Sequence, residues 1–205
     1  MPILGTRAGA SAQGYGLFGG KGQVQAFSSI ATITAAGGET SLSLTSIPQT
    51  YTDLHIRALA KNSQTSTNSS YSSHITFNAV TTSIYAYGFF IGSGVPNTGV
   101  NQSQTAAGSF AFGFITESEM DNLSSASYYA VSMMDIYDYT STTKAKAISA
   151  ISGGDRNTGG AAYSNGMSWT LSTATTAITS IQFAPGTGTF VAGTTFALYG
   201  IKAAL

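Results

Sequence analysis

The chain has 205 residues, of which 8% are charged, with eight basic and eight acidic side chains in exact balance and no cysteine. That composition excludes the positive footprint of a nucleic-acid binder, a thiolate metal site and a disulfide framework. A hydrophobic content of 42% and an aromatic content of 11% supply a core and argue against disorder.

Residues 1–25, MPILGTRAGASAQGYGLFGGKGQVQ, are rich in Gly and Ala and show no hydrophobic period. Gly-rich chain is adaptable, yet this stretch carries Ile3, Leu4, Tyr15, Leu17 and Phe18. It reads as an extended anchoring arm that orders against a partner, with Arg7, Tyr15, Gly16, Leu17 and Phe18 as the contact residues. The other reading is a disordered terminus. Gly14 to Gly19 also fits GxGxxG, with Glu39 about twenty residues beyond, but neither the preceding strand nor the following helix of a dinucleotide site is present.

From residue 26 to 205 the pattern is that of one β domain. Ser28–Thr34 alternates as SSIATIT, and Thr40–Ile47 places Leu42 and Leu44 on one face. Tyr51–Ala60 puts Leu54, Ile56 and Ala58 on one face and Asp53, His55 and Arg57 on the other. Lys61–Ser70 is a polar loop tip. Strands are expected at His74–Val80, Ser83–Ile91, Ala107–Ile115, Ser127–Tyr139 and Thr143–Ser152. Further strands are expected at Met167–Ser172, Ile178–Phe183 and Thr194–Ala203. Glu117–Ser125 is the only candidate helical turn, with Thr116 as its N-cap. Asn165-Gly166 and Pro185-Gly186 are turn signals. Many short strands without a longer period predict an all-β, jelly-roll-like antiparallel sandwich preceded by the arm.

No catalytic constellation stands out. Asp135 and Asp138 are three apart, so on a regular strand they point to opposite faces. Glu117, Glu119 and Asp121 either solvate a loop or offer oxygens to calcium. His55 and His74 form no recognisable metal motif, and no G-x-S-x-G elbow accompanies the many serines. The expectation is a protein without catalytic residues, metal or cofactor. Tyrosine suits interfaces and sugar surfaces as well as cores, so Tyr71, Tyr87, Tyr129 and Tyr137 are candidates for a receptor or subunit surface, with core packing as the other reading. Trp169 is expected in the core.

The closing segment Ile178–Lys202, ITSIQFAPGTGTFVAGTTFALYGIK, resembles the ending of tailed-bacteriophage virion proteins. Ile47–Ala60, IPQTYTDLHIRALA, resembles an early strand of those proteins, and Ala10–Gly20 resembles their short amino-terminal motif. The resemblance implies a virion appendage, either a short tail fibre or a capsid decoration protein, made in the host cytoplasm. It further implies other virion proteins as partners, a homotrimer, and a host-surface glycan as receptor. A glycan-cleaving enzyme on the same scaffold is the third reading. The chain departs from long fibres in having no heptad coiled coil and no repeated shaft. Neither nucleic acid nor membrane insertion is expected.

Overall fold

The computed structural model describes residues 27–63, 72–81, 85–92, 99–107, 110–114, 129–153, 167–168, 170–171 and 175–202. Among them the strands are β1 (Phe27–Thr34), β2 (Leu42–Leu44), β3 (Asp53–Ala60), β4 (Ser72–Phe77), β5 (Tyr85–Gly92), β6 (Gly99–Ala107) and β7 (Phe110–Phe114). They continue with β8 (Ala130–Tyr137), β9 (Ala147–Gly153), β10 (Met167–Ser168), β11 (Thr170–Leu171), β12 (Ile181–Pro185) and β13 (Thr195–Ile201). The expected arm with Arg7, Tyr15, Gly16, Leu17 and Phe18 lies outside the described residues, as do Tyr71, Trp169 and the Glu117 cluster.

Alternation builds the sheets. In β3, Leu54, Ile56, Ala58 and Ala60 are buried while Arg57 and Leu59 are exposed. β13 alternates in the same way, burying Phe196, Leu198 and Gly200. Four antiparallel pairings form a long two-stranded ribbon: β1 with β13, β2 with β12, β3 with β8 and β4 with β7. Two more, β13 with β3 and β12 with β4, join successive turns of the wound ribbon. The sheets therefore read β1-β13-β3-β8 and β2-β12-β4-β7, which is the jelly-roll order. The expected jelly-roll sandwich is the fold observed. β9 and β10 widen the first sheet to six strands, and β11-β5-β6 forms a third sheet.

The core lies between the two wound sheets. Phe183 of β12 stacks on Phe196 of β13 with ring centroids 4.1 Å apart, and Phe190 meets Phe196 edge-on at 5.4 Å. Three of the large buried side chains bond their polar ends to backbone. The Tyr85 hydroxyl accepts the Phe77 N–H at 3.0 Å and donates to the Val80 carbonyl at 2.9 Å, and the Tyr139 hydroxyl donates to the Pro48 carbonyl. Lys146 is fully buried, and its Nζ reaches the carbonyls of Ser141, Lys144 and Thr175. Desolvation lowers its pKa from the ordinary lysine value.

The closing strand explains one of its own glycines. A Cβ on Gly200 would lie 2.3 Å from the Tyr51 ring, so the ring sits directly on the glycine. Gly200 is absent from the positive-φ glycines, so space rather than backbone conformation is what requires it. Lys202 Nζ then lies 5.7 Å from the Tyr51 ring centroid. The Tyr51 and Leu-Tyr-Gly-Ile-Lys segments, far apart in sequence, are two halves of one contact.

Several strand expectations need correction. β4 stops at Phe77 rather than Val80, because Asn78 and Ala79 take positive φ of 53° and 56°. Asn78 Oδ1 there accepts the N–H groups of Thr179 and Ser180, knitting the turn to the approach of β12. β2 spans only Leu42–Leu44, with Ser46 at φ 56° ending the extended run. The expected strand Met167–Ser172 is split: β10 pairs with β9, and β11 pairs with β5 in another sheet. β9 starts at Ala147 instead of Thr143, after a segment in which Ser141 Oγ accepts the N–H of Lys144 and Lys146 turns inward. β6 was not expected, since GVNQSQTAA has no apolar alternation; it is held by backbone pairing to β5.

Candidate apolar face of the six-stranded sheet

The outward positions that are described carry different side chains on the two wound sheets. On the four-stranded sheet, Ser43 and Gln182 face outward beside each other, 3.5 Å apart through Gln182 Nε2 and the Ser43 hydroxyl. On the six-stranded sheet the cross-strand register aligns three rows. The first is Tyr199, His55, Asp135 and Ser149; the second is Ala197, Arg57, Met133 and Ile151; the third is Thr195, Leu59, Val131 and Gly153. Val131 is 56% exposed, Ile151 47%, Met133 45%, Tyr137 45%, Leu59 43% and Phe27 43%. Every large hydrophobic side chain exposed among the described residues thus lies on this one face.

The second and third rows enclose a groove of about 590 Å³, lined by Arg57, Val131, Ser132, Met133, Ile151 and Gly153. β8 supplies its centre. Its sequence AVSMMDIY buries Ala130, Ser132, Met134 and Ile136 on the inner side, yet places Val131 and Met133 on the outer side. A half-buried strand would ordinarily carry polar residues there.

Beside the groove lies a polar and aromatic cluster. His55 Nδ1 is 2.6 Å from Asp135 Oδ1, and Arg57 Nε lies 3.4 Å from His55 Nε2. This geometry fits the tautomer that donates from Nδ1 to Asp135 and accepts at Nε2. The side where a Ser-His-Asp triad would need a hydroxyl is faced by a guanidinium instead. Phe27 stacks on Tyr199 at 4.7 Å, and the Arg57 guanidinium lies 6.0 Å and 5.9 Å from their ring centroids. Asp138 falls beyond the end of β8, in a turn at φ 50°, and bonds Lys144 at 2.8 Å. The two aspartates thus have separate partners, His55 for Asp135 and Lys144 for Asp138. Among the described residues no three His, Cys, Asp or Glu side chains gather as a metal site.

The tyrosine candidates part company. Tyr137 stands on the exposed face, its hydroxyl 3.5 Å from Ser149 Oγ. Tyr129 is half-buried, and its hydroxyl donates to the Ala192 carbonyl at 2.8 Å, bracing the turn before β13. The Tyr87 backbone pairs with Gln104 in the third sheet. Residue-type reasoning centred on tyrosines passed over Leu59, Val131, Met133 and Ile151. The available signal was apolar character at both alternating sets of positions in β8.

The class of protein defined by these observations is an all-β jelly-roll sandwich with one apolar outer face. Comparison with family models, with curated proteins and with solved structures gives no match.

Proposed function

We propose that this chain is a structural protein of a tailed-bacteriophage virion, a short tail fibre whose N-terminal segment docks on the virion and whose β domain faces the host surface. The observation that carries the reading is the concentration of exposed apolar side chains on the outer face of the six-stranded sheet. A freely diffusing monomer gains nothing from such a face, whereas a closed assembly covers it. The low charge, 8% of residues, adds to this, since charge is what keeps free domains apart. The resemblance of Ile47–Ala60 and Ile178–Lys202 to virion proteins supplies the particular assembly, and those two segments pack on each other through β3, β13 and the Tyr51–Gly200 contact. In this reading the protein is a homotrimer without catalytic activity, and a host-surface glycan is the receptor. A capsid decoration protein, with the same face laid against the shell, is the second reading; it too uses the apolar face.

Sedimentation of the full chain tests the assembly. A trimer at micromolar concentration is expected, and Leu59→Glu with Tyr137→Glu should dissociate it without loss of β circular dichroism. A wild-type monomer under those conditions would refute the oligomer. Imaging of particles labelled at the carboxyl end separates the readings: label at the tail tip supports the fibre, and label over the shell supports decoration.

A further inference from the structure

The polar cluster beside the apolar rows holds a histidine whose two ring nitrogens have different neighbours. His55 Nδ1 lies 2.6 Å from the Asp135 carboxylate, and Nε2 lies 3.4 Å from Arg57 Nε. An ionised carboxylate offers only acceptors, so Nδ1 carries a proton whether the ring is neutral or charged. A second proton therefore goes to Nε2, the atom to which Arg57 donates. We propose that His55 and Arg57 form a protonation switch on the subunit contact, in which acid drives the Arg57 guanidinium onto the apolar rows and separates the copies. The inference rests on the reading of this face as the contact between copies, and adds how that contact is regulated.

In the neutral ring, Nε2 accepts the Arg57 Nε–H, and the guanidinium rests against Phe27 and Tyr199. A proton on Nε2 removes that acceptor. Two N–H donors and two positive charges then meet across the same gap, and Arg57 has to leave it. Its other neighbours are apolar. Across the sheet Arg57 stands between Ala197 and Met133, and along β3 the next residue on its face is Leu59. It also lines the groove with Val131, Met133 and Ile151. In the assembly these side chains are covered by another copy, so the displaced charge is pressed against apolar surface without a partner. An unpaired charge in such a contact opposes association.

Among the described residues, the groups facing His55 are Asp135 of β8, Tyr199 of β13 and Phe27 of β1, with Arg57 on its own strand. Asp53, the preceding residue on this face of β3, accepts the Asp138 N–H instead, and Asp138 holds Lys144. Asp135 thus keeps the ring in place in both states, while Arg57 alone feels the change at Nε2. Histidine is the side-chain type suited to this, since its charge changes between about pH 5 and pH 8.

Sedimentation of the full chain over a concentration series, at about pH 8 and about pH 5.5, reads the switch. The wild type should need at least about tenfold more protein to assemble at the lower pH, with unchanged β circular dichroism. His55→Gln and Arg57→Gln should each assemble equally at the two pH values. The first takes up no proton at this position, and the second has no charge to drive onto the contact. A trimer that assembles equally well at both pH values would overturn the switch and leave the subunit contact intact. A monomer at both would overturn the contact and the switch together. A pH difference that persists in either variant would overturn the pairing of the two residues. Should a variant fail to fold, NMR of the wild-type chain decides. The Arg57 Nε–H signal should move with the same midpoint as the His55 ring signals. Separate midpoints, or an Arg57 signal that stays fixed, would refute the switch.

Discussion

Gly200→Ala isolates the contact between the two signature segments. A methyl group at this position would sit 2.3–2.5 Å from three ring atoms of Tyr51, inside any tolerable carbon–carbon distance. The obstruction is the ring base rather than a flexible tip, so Tyr51 has to leave its seat. Tyr51 is partly buried and packs against the core cluster, so its displacement exposes apolar surface and removes its contact with Lys202. Overpacking of this kind costs about 1–3 kcal/mol. For a domain of this size that is a fall of roughly 3–10 °C in melting temperature. The backbone itself raises no objection to alanine, since Gly200 has no positive φ. In a Tyr51→Ala background, Gly200→Ala should therefore be neutral or stabilising by about 0.5 kcal/mol, the usual advantage of alanine over glycine in regular structure. Urea unfolding of the four chains gives the coupling directly. If Gly200→Ala is equally destabilising with and without Tyr51, the steric account is wrong.

Three other outcomes follow from the packing and the titrating groups. Phe196→Ala removes both the stack on Phe183 and the edge contact with Phe190, and should cost about 3–5 kcal/mol by chemical denaturation. Lys146→Met leaves the carbonyls of Ser141, Lys144 and Thr175 without this donor, and should lower stability by about 1–3 kcal/mol despite relieving a buried ammonium; a rise in the urea midpoint would show that desolvation outweighs the hydrogen bonds. Burial holds the His74 imidazole below its ordinary value of 6.5, so the unfolded chain takes up a proton first on acidification and stability falls as pH drops through 6.5. His74→Gln should flatten that slope relative to wild type in urea titrations between about pH 8 and pH 5.

Alternation in single strands was legible without a fold. The core positions of β3 and the paired leucines of β2 follow from period-2 hydrophobicity, and turn residues mark where the runs stop. The sandwich class followed from many such runs, because a sheet with one apolar face must bury it against another. Local pattern was silent where pairing alone sustains a strand, as in β6, whose polar residues are held by the backbone of β5. It was also silent where one run serves two sheets, as at β10 and β11.

The candidate site belongs to the tertiary structure. In sequence, the apolar residues at both parities of AVSMMDIY suggest only a buried strand. Winding the ribbon puts β8 beside β3 and β9 in a sheet whose inner face alone meets the second sheet, and Val131, Met133, Leu59 and Ile151 are left outside together. His55 and Asp135 become partners for the same reason, eighty positions apart but directly opposite in register. Hydrophobicity is a property of each residue. Which face it lies on depends on strand register and sheet order, and these come from long-range pairing rather than from neighbours in the chain.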